Sequence, residues 1–362
     1  DNPVMAFSAK LNQGVFTQED FDIAKLNHPD NIENFTTSIE IKQPIFNPEM
    51  FSLRKAAKNE VQATDFQNQF KKEALLLEAE QKYMQLQLAY KQLESLKKSF
   101  LSAEALKRQT KDLFDQGLVT QAEVLQVEVR VNEVENQMNL AQNEIENTSD
   151  YLHFLMNSET RLLLIPADSL RLQFSKNTTD VSLPEDRADL IALDKMEQAY
   201  ASAFKAQQWN YLPQLNAFAN LQYFDDQALQ SGNNSYFVGA EINWQIFSGN
   251  RRLGKLRQAK AQWESAQVNK EKYRYESSIQ LQQTQRLIQS LERELNLKQS
   301  SLDYSLEALR IIKNRHKEGL EKTAEVLQAE AQAAMAEFEY NHSLFKYNQS
   351  LAQLNFLLNT KN

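Results

Sequence analysis

The chain has 362 residues, only 7 Gly and 7 Pro, and a net charge of −8, so turn punctuation is scarce and its elements are few and long. The acidic balance argues against a nucleic-acid partner, which needs a basic face, and the lack of cysteine excludes disulfides, thiolate metal sites and cysteine nucleophiles. No run approaches the roughly 18 consecutive apolar residues of a membrane-spanning helix, although the alternating strands of a β-barrel would show no such run.

Val4 to Asn12 reads as a short strand, followed by polar, irregular chain to Ile32. From Phe35 to Ile45 the pattern has period two. Phe35, Thr37, Ile39, Ile41, Gln43 and Ile45 fall on one side, and Thr36, Ser38, Glu40 and Lys42 on the other. That is a half-buried strand or one wall of a barrel, and residues 1–47 are predicted to hold a first pair of strands. From Pro48 to about Gln116 there is no Pro or Gly, and apolar residues recur at helical spacing, as in Tyr83, Leu86, Tyr90 and Leu93. Sixty-odd helical residues span roughly 100 Å, which suits a coiled-coil rod or helical barrel. Gly117 ends this helix. Thr120, with Glu123 three residues on, starts the next, so 48–157 reads as a helical hairpin with its tip at 117–120. Residues 158–184 break the pattern and are predicted to pack as a mixed segment on the outside of the rod. Helix returns over 185–211. A second strand pair occupies 212–248, where Leu215, Ala217, Ala219, Leu221 and Tyr223 alternate with Asn216, Phe218, Asn220 and Gln222, and Tyr236, Val238, Ala240, Ile242 and Trp244 stand against Gly239, Glu241, Asn243 and Gln245. A second hairpin fills 249–362, with its tip at 319–323.

The halves repeat. Gly117–Glu128 and Gly319–Glu330 share 8 of 12 residues at an offset of 202, and Leu152-His-Phe-Leu-Met-Asn157 matches Leu354-Asn-Phe-Leu-Leu-Asn359 at the same offset. The fold class is therefore mainly α with a β-barrel contribution, in two repeats of strand–strand–long helix–tip–helix. The second half has a helix before its strands and the first has none, which predicts a leader and a matching helix preceding Asp1. Four strands cannot close a pore, and open edges are forbidden in lipid, so several chains share one barrel; three copies give twelve strands. Phe35, Tyr223, Phe224, Tyr236 and Trp244, near strand ends, are candidates for an interfacial aromatic girdle. A two-layer sheet packed on its own helices is the plainer alternative.

Gln43-Pro-Ile-Phe46 before a long helix, the Gly-Leu-x-Thr-like tip and the Ala-Glu-Val-Leu-Gln continuation, in this order twice over, resemble the TolC-like outer membrane factor family, also called outer membrane efflux proteins. The resemblance implies a homotrimer with a twelve-stranded transmembrane β-barrel in the Gram-negative outer membrane, set on a periplasmic α-helical barrel. It implies a passive exit duct for a tripartite efflux pump or type I secretion system, working with a periplasmic adaptor and an inner-membrane pump. The family's periplasmic constriction maps onto Glu325, and a second acidic family position falls on Gln328. Three Glu325 carboxylates about one axis would repel one another and attract cations; a plainer role is a first-turn carboxylate complementing the helix dipole. The family's gate latch maps onto Glu123 and His316, a contact that protonation of the imidazole would strengthen; alternatively His316 is a surface residue of the last helical turn. A further family link is lost, because Glu321 stands where a basic residue belongs, opposite Ala122. Gly117, Leu118, Val119, Thr120, Gly319 and Leu320 are the candidate adaptor-docking tips, unless they merely pack neighbouring hairpins together.

Nothing in the sequence points to an enzyme. No phosphate loop, zinc-binding His pair, nucleophile elbow or calcium loop is present, and neither a cofactor nor a metal is expected. The alternative functions are a periplasmic adaptor, which carries glycine-rich β-domains and usually one hairpin, and a coiled-coil scaffold, which has no use for amphipathic strands.

Overall fold

The structure, a computed structural model, describes residues 3–29, 31–160, 162–173, 182–227 and 233–359. Its contacts separate two compact units, Asp1–Gln62 with Lys195–Val268, and Ala63–Asp194 with Asn269–Asn362.

The first unit begins with α1 (Pro3–Gln13), a 3₁₀ turn at Gln18–Phe21 and α2 (Ile23–Asn27). The strand expected over Val4–Asn12 is thus a helix. Pro3 sits in its first turn, where a missing N–H costs nothing. Gly14, at φ +70°, closes it through bonds from its own N–H to Leu11 O and from Val15 N–H to Lys10 O. Phe7 faces Phe16 and Phe21 in an edge-on aromatic cluster, which is what fixes the helical period over this short apolar run. The chain to Ile32 is likewise less irregular than expected, since it holds the 3₁₀ turn and α2.

An antiparallel sheet follows, built of β1 (Phe35–Phe46), β2 (Gln214–Asp225) and β3 (Asn233–Asn243) in the order β1-β2-β3. Three strands stand among the described residues where four are expected. Register aligns Ile41 with Ala219 and Ala219 with Val238. Ile39, Ile41, Ala217, Ala219, Leu221, Tyr236, Val238 and Ile242 therefore share one face. The other carries Glu40, Lys42, Asn216, Asn220 and Glu241, together with the paired rings of Phe218 and Phe237, and Lys42 and Glu241 form a 2.9 Å ion pair. Gly239 lies beneath the Phe218 ring, and a Cβ there would meet it at 2.9 Å. After β1, the Asn47 side chain accepts the Met50 N–H at 3.0 Å and Pro48 opens α3 (Pro48–Asp115), whose first turns belong to this unit.

The second unit is helical. Here α3 returns as α4 (Gln121–Leu155), and α6 (Arg251–Lys317), whose first turns belong to the first unit, as α7 (Thr323–Leu357); α5 (Ala188–Trp209) belongs to the first unit from Lys195 on. The hairpins nearly match, with 68 and 35 residues against 67 and 35. Both tips turn on a left-handed glycine, Gly117 at φ +71° and Gly319 at φ +72°, with Leu118 N–H bonding Leu113 O and Leu320 N–H bonding Arg315 O, each at 2.9 Å. Both return helices end on a left-handed asparagine, Asn157 and Asn359. That explains why each repeated Leu-x-Phe-Leu segment finishes in Asn.

Each hairpin has its own seam. Leu86, Ala89 and Leu93 meet Ala141, Ile145 and Leu152 in the first. Leu281, Ile288 and Leu291 meet Tyr347, Leu351 and Leu354 in the second. Residues 162–173 lie on this helical unit without regular secondary structure. Tyr90 Oη donates to Leu164 O at 3.0 Å, and Leu170 is buried with Leu88, Leu295 and Leu344. Phe174, expected in the same segment, lies outside the described residues. Asn348, almost wholly buried, grips the segment twice: its amide donates to Arg171 O at 2.7 Å and its carbonyl accepts Gln173 N–H at 3.2 Å. Asn348→Leu leaves both backbone groups without that partner and is expected to cost about 2–3 kcal/mol. Loss of hydrogen-exchange protection at the Gln173 amide measures it; unchanged protection would show that the segment is held elsewhere.

Arg187 and Asp189 form a buried bidentate ion pair, with Arg187 Nη2 2.6 Å from Asp189 Oδ2, and Tyr273 donates to the same oxygen at 2.8 Å. Burial, and then that bond, push the Tyr273 hydroxyl from 10.0 up to about 12. A group that binds its proton more tightly when folded contributes fully below pH 10, and that contribution drains away between pH 10 and about 12. Thermal melts across this range are expected to fall more steeply for the wild type than for Tyr273→Phe.

Candidate functional site

Two places carry features that a structural rod does not need: the tip end of the hairpins and the apolar face of the sheet.

Near the tips the four hairpin helices share a small core. Leu106 of α3, Val127 of α4 and Val326 of α7 are buried together, with Ile312 of α6 against them. This core orients the start of α7. Thr323, Val326, Ala329 and Glu330 turn inward, while Glu325 and Gln328 are exposed on one side, three residues apart. At the apices Leu118 and Leu320 are exposed and Val119 is half-buried. Thr120 N–H is capped by the Glu123 carboxylate at 3.2 Å, as its spacing predicts.

Glu123 and His316 are not brought together within the chain. Glu123 is engaged in this cap. His316 is buried, against the alternative expectation of a surface residue, and its Nε2 lies 3.5 Å from Thr323 Oγ1. Glu321 is paired with Arg315 Nε at 2.8 Å inside its own hairpin.

The polar links between the two hairpins lie elsewhere, at residues the sequence did not single out. Lys313 Nζ of α6 donates to Ser102 Oγ of α3 at 2.6 Å and sits 2.7 Å from Glu330 Oε1 of α7. Ser102 in turn donates to Glu330 Oε1 at 2.5 Å. Seven residues up α3, Ser95 donates to Glu337 Oε1, also at 2.5 Å. Glu330 is the last residue of the repeated tip motif. Its counterpart Glu128 is more exposed and pairs only within its own hairpin, with Lys107 at 3.4 Å. That asymmetry is invisible in the motif, because the burying partners come from another helix.

At the sheet, Ile39, Ile41, Tyr236, Val238 and Ile242 are between 53 and 82 % exposed on one face. A contiguous apolar surface of this kind is not tolerated in water without a partner or a membrane. Among the aromatics expected at an interface, Phe35, Tyr223 and Tyr236 stand on this face near one end of the sheet, Phe224 turns to the polar face there, and Trp244 lies just past the other end, donating Nε1–H to Tyr211 O at 3.2 Å.

Among the described residues no helix is long and apolar enough to cross a membrane, and no His, Cys, Asp and Glu cluster is placed to hold a metal. Compared with known proteins, residues 3–158 and 182–360 match the sequence profile of outer membrane efflux protein. No curated protein sequence matches the chain. Among solved structures, the outer membrane protein VceC of Vibrio cholerae superposes with a TM-score of 0.77 at 18 % identity, over 98 % of this chain and 92 % of that one. The CmeC outer membrane channel of Campylobacter jejuni gives 0.77 at 15 % identity, over 99 % and 82 %. The MtrE outer membrane channel of Neisseria gonorrhoeae gives 0.76 at 16 %, over 98 % and 85 %. At these identities the likeness is one of fold.

Proposed function

The chain belongs to the outer membrane efflux protein family, and from that membership we propose that it forms a passive trimeric exit duct. Its sheet lies in the outer membrane and its hairpins in the periplasm, where a periplasmic adaptor and an inner-membrane pump meet them. The observation that carries this reading is the exposed apolar face of the sheet, where no helix among the described residues is long and apolar enough to cross a membrane. Both sheet edges are unpaired among the described residues, and lipid does not admit open edges, so a barrel closed between copies follows. Twelve strands in a trimer require one strand per chain beyond the three described. The near-equal hairpins support a duplicated unit.

In this duct the exposed Glu325 carboxylates ring the periplasmic constriction, with Gln328 one turn above, and Leu118 and Leu320 meet the adaptor. Closure rests on the Ser102–Lys313–Glu330 tie and the Ser95–Glu337 bond, in place of Glu123 and His316. Purified protein added to planar lipid bilayers is expected to give stepwise conductance. A chain that stays monodisperse without detergent and makes no pores would remove the channel reading.

A further inference from the structure

Beside the sheet, within the first unit, α3 and α5 enclose a groove of about 590 Å³. Its walls come from positions 48, 51, 52, 55 and 59 of α3 and 198, 201, 202, 205 and 209 of α5, the i, i+3, i+4, i+7 spacing of one helix face on each side. Helix α3 leaves β1 and α5 leads into β2. Glu49 ties their strand-side ends by accepting from Asn210 Nδ2 at 2.5 Å and Gln214 Nε2 at 3.2 Å. The groove consequently has a direction.

Its lining changes character along that direction. At the strand end are Pro48, Phe51 and Trp209. One to two turns further stand Lys55 and Lys205, neither in an ion pair among the described residues, with Lys205 Nζ 5.9 Å from the Trp209 ring centre. At the far end is the lining residue Asn59, only 8 % exposed, its Nδ2 enclosed by the protein and without a hydrogen-bond partner. A buried amide donor without a partner is costly and calls for an acceptor. Lys55 and Lys205 are the charged residues of the lining, and both are basic, while Glu49 and Glu60 stand just outside it on α3.

An apolar end toward the sheet, two ammonium groups in the middle and the polar residue Asn59 beyond them describe an amphiphile with an anionic head. We infer that this groove binds an anionic glycerophospholipid of the periplasmic leaflet, its phosphate between Lys55 and Lys205, its headgroup toward Asn59, and its acyl chains along Phe51 and Trp209 toward the sheet. This rests on the outer-membrane reading, which puts the sheet in lipid and the helix ends at the headgroup level.

The test is native mass spectrometry of the detergent-purified protein titrated with phosphatidylglycerol or phosphatidylcholine, alongside bilayer conductance of the same preparation. Phosphatidylglycerol is expected to bind about one per chain in preference to phosphatidylcholine, and Lys55→Gln with Lys205→Gln to weaken it by about ten-fold or more, with conductance retained. Asn59→Leu, which makes the polar far end apolar, is expected to weaken it independently. Equal binding of the two lipids, or wild-type phosphatidylglycerol binding by the double variant, overturns the proposal. So does displacement of the lipid by millimolar inorganic phosphate, which marks a free-anion site. A change of oligomer mass in the double variant also overturns it, since it marks a groove filled by a second copy. Pores without lipid preference remove this inference alone, whereas absence of pores removes the channel reading.

Discussion

Ala219→Arg is expected to abolish insertion of the protein into the outer membrane, while Asn220→Arg, one residue on, leaves it intact. Ala219 is in the central strand, aligned with Ile41 on one side and Val238 on the other, within the apolar face. An arginine on the lipid face of a barrel costs about 2–4 kcal/mol at the midplane, and a trimer incurs that cost three times. Asn220 aligns with Glu40 on one side and Phe237 on the other, on the opposite face, where a guanidinium has a carboxylate beside it and a ring to lie against. Ala219→Leu separates the effect of charge from that of bulk and is expected to insert normally. Outer-membrane fractionation and bilayer conductance read the result. If the two arginine variants insert equally well, the apolar face does not meet lipid and the barrel orientation falls.

The tie between the hairpins gives the second large effect. Lys313→Met strands a Glu330 carboxylate whose side chain is only 9 % exposed, whereas the lysine itself is 35 % exposed and half in water. Removing the cation is expected to cost about 2 kcal/mol, less than for a fully buried pair because Lys313 is partly solvated. The double variant Lys313→Met with Glu330→Leu recovers most of it, since no charge is then left unpaired. Melting in detergent by circular dichroism gives the stability arm. Single-channel recording gives the functional one, with longer open times for Lys313→Met because α6 loses its polar link to α3 and the Ser102–Glu330 bond loses its neighbouring cation. If neither melting nor open time moves, the Ser102–Lys313–Glu330 cluster does not hold the hairpins together.

What the sequence showed well was whatever a local period or a cap decides. The long hairpins, the left-handed glycines, the Thr120–Glu123 cap and the amphipathic strands were all readable, because each is fixed by residues within a few positions of one another. The N-terminal run was not. Over nine residues, apolar side chains at 4, 5, 6, 7, 9 and 11 satisfy a period of two nearly as well as 3.6, and the deciding contacts, Phe7 with Phe16 and Phe21, lie further along the chain. The inter-hairpin ties were unreadable for a related reason. Ser102 meets groups 211 and 228 positions away, and nothing local distinguishes Glu330 from Glu128. Glu123 and His316 came from a resemblance at the tips, where the local cap and Thr323 hold them instead. Asn59 and the two lysines of the groove were unremarkable in sequence; only the pairing of α3 with α5 gives them a common direction.

A Cβ placed on Gly117 or Gly319 would meet nothing within 4 Å. What the two apices require is therefore handedness and not space: a residue at ease with positive φ, of any shape that solvent will accept. The bend is set by one backbone angle and its two returning hydrogen bonds, and the exposed side chains on either side take no part in it. Under the docking role proposed for Leu118 and Leu320, natural variation at these two residues would remodel what the apex recognises without touching how it folds, and a new docking companion would need changes at only a few surface residues.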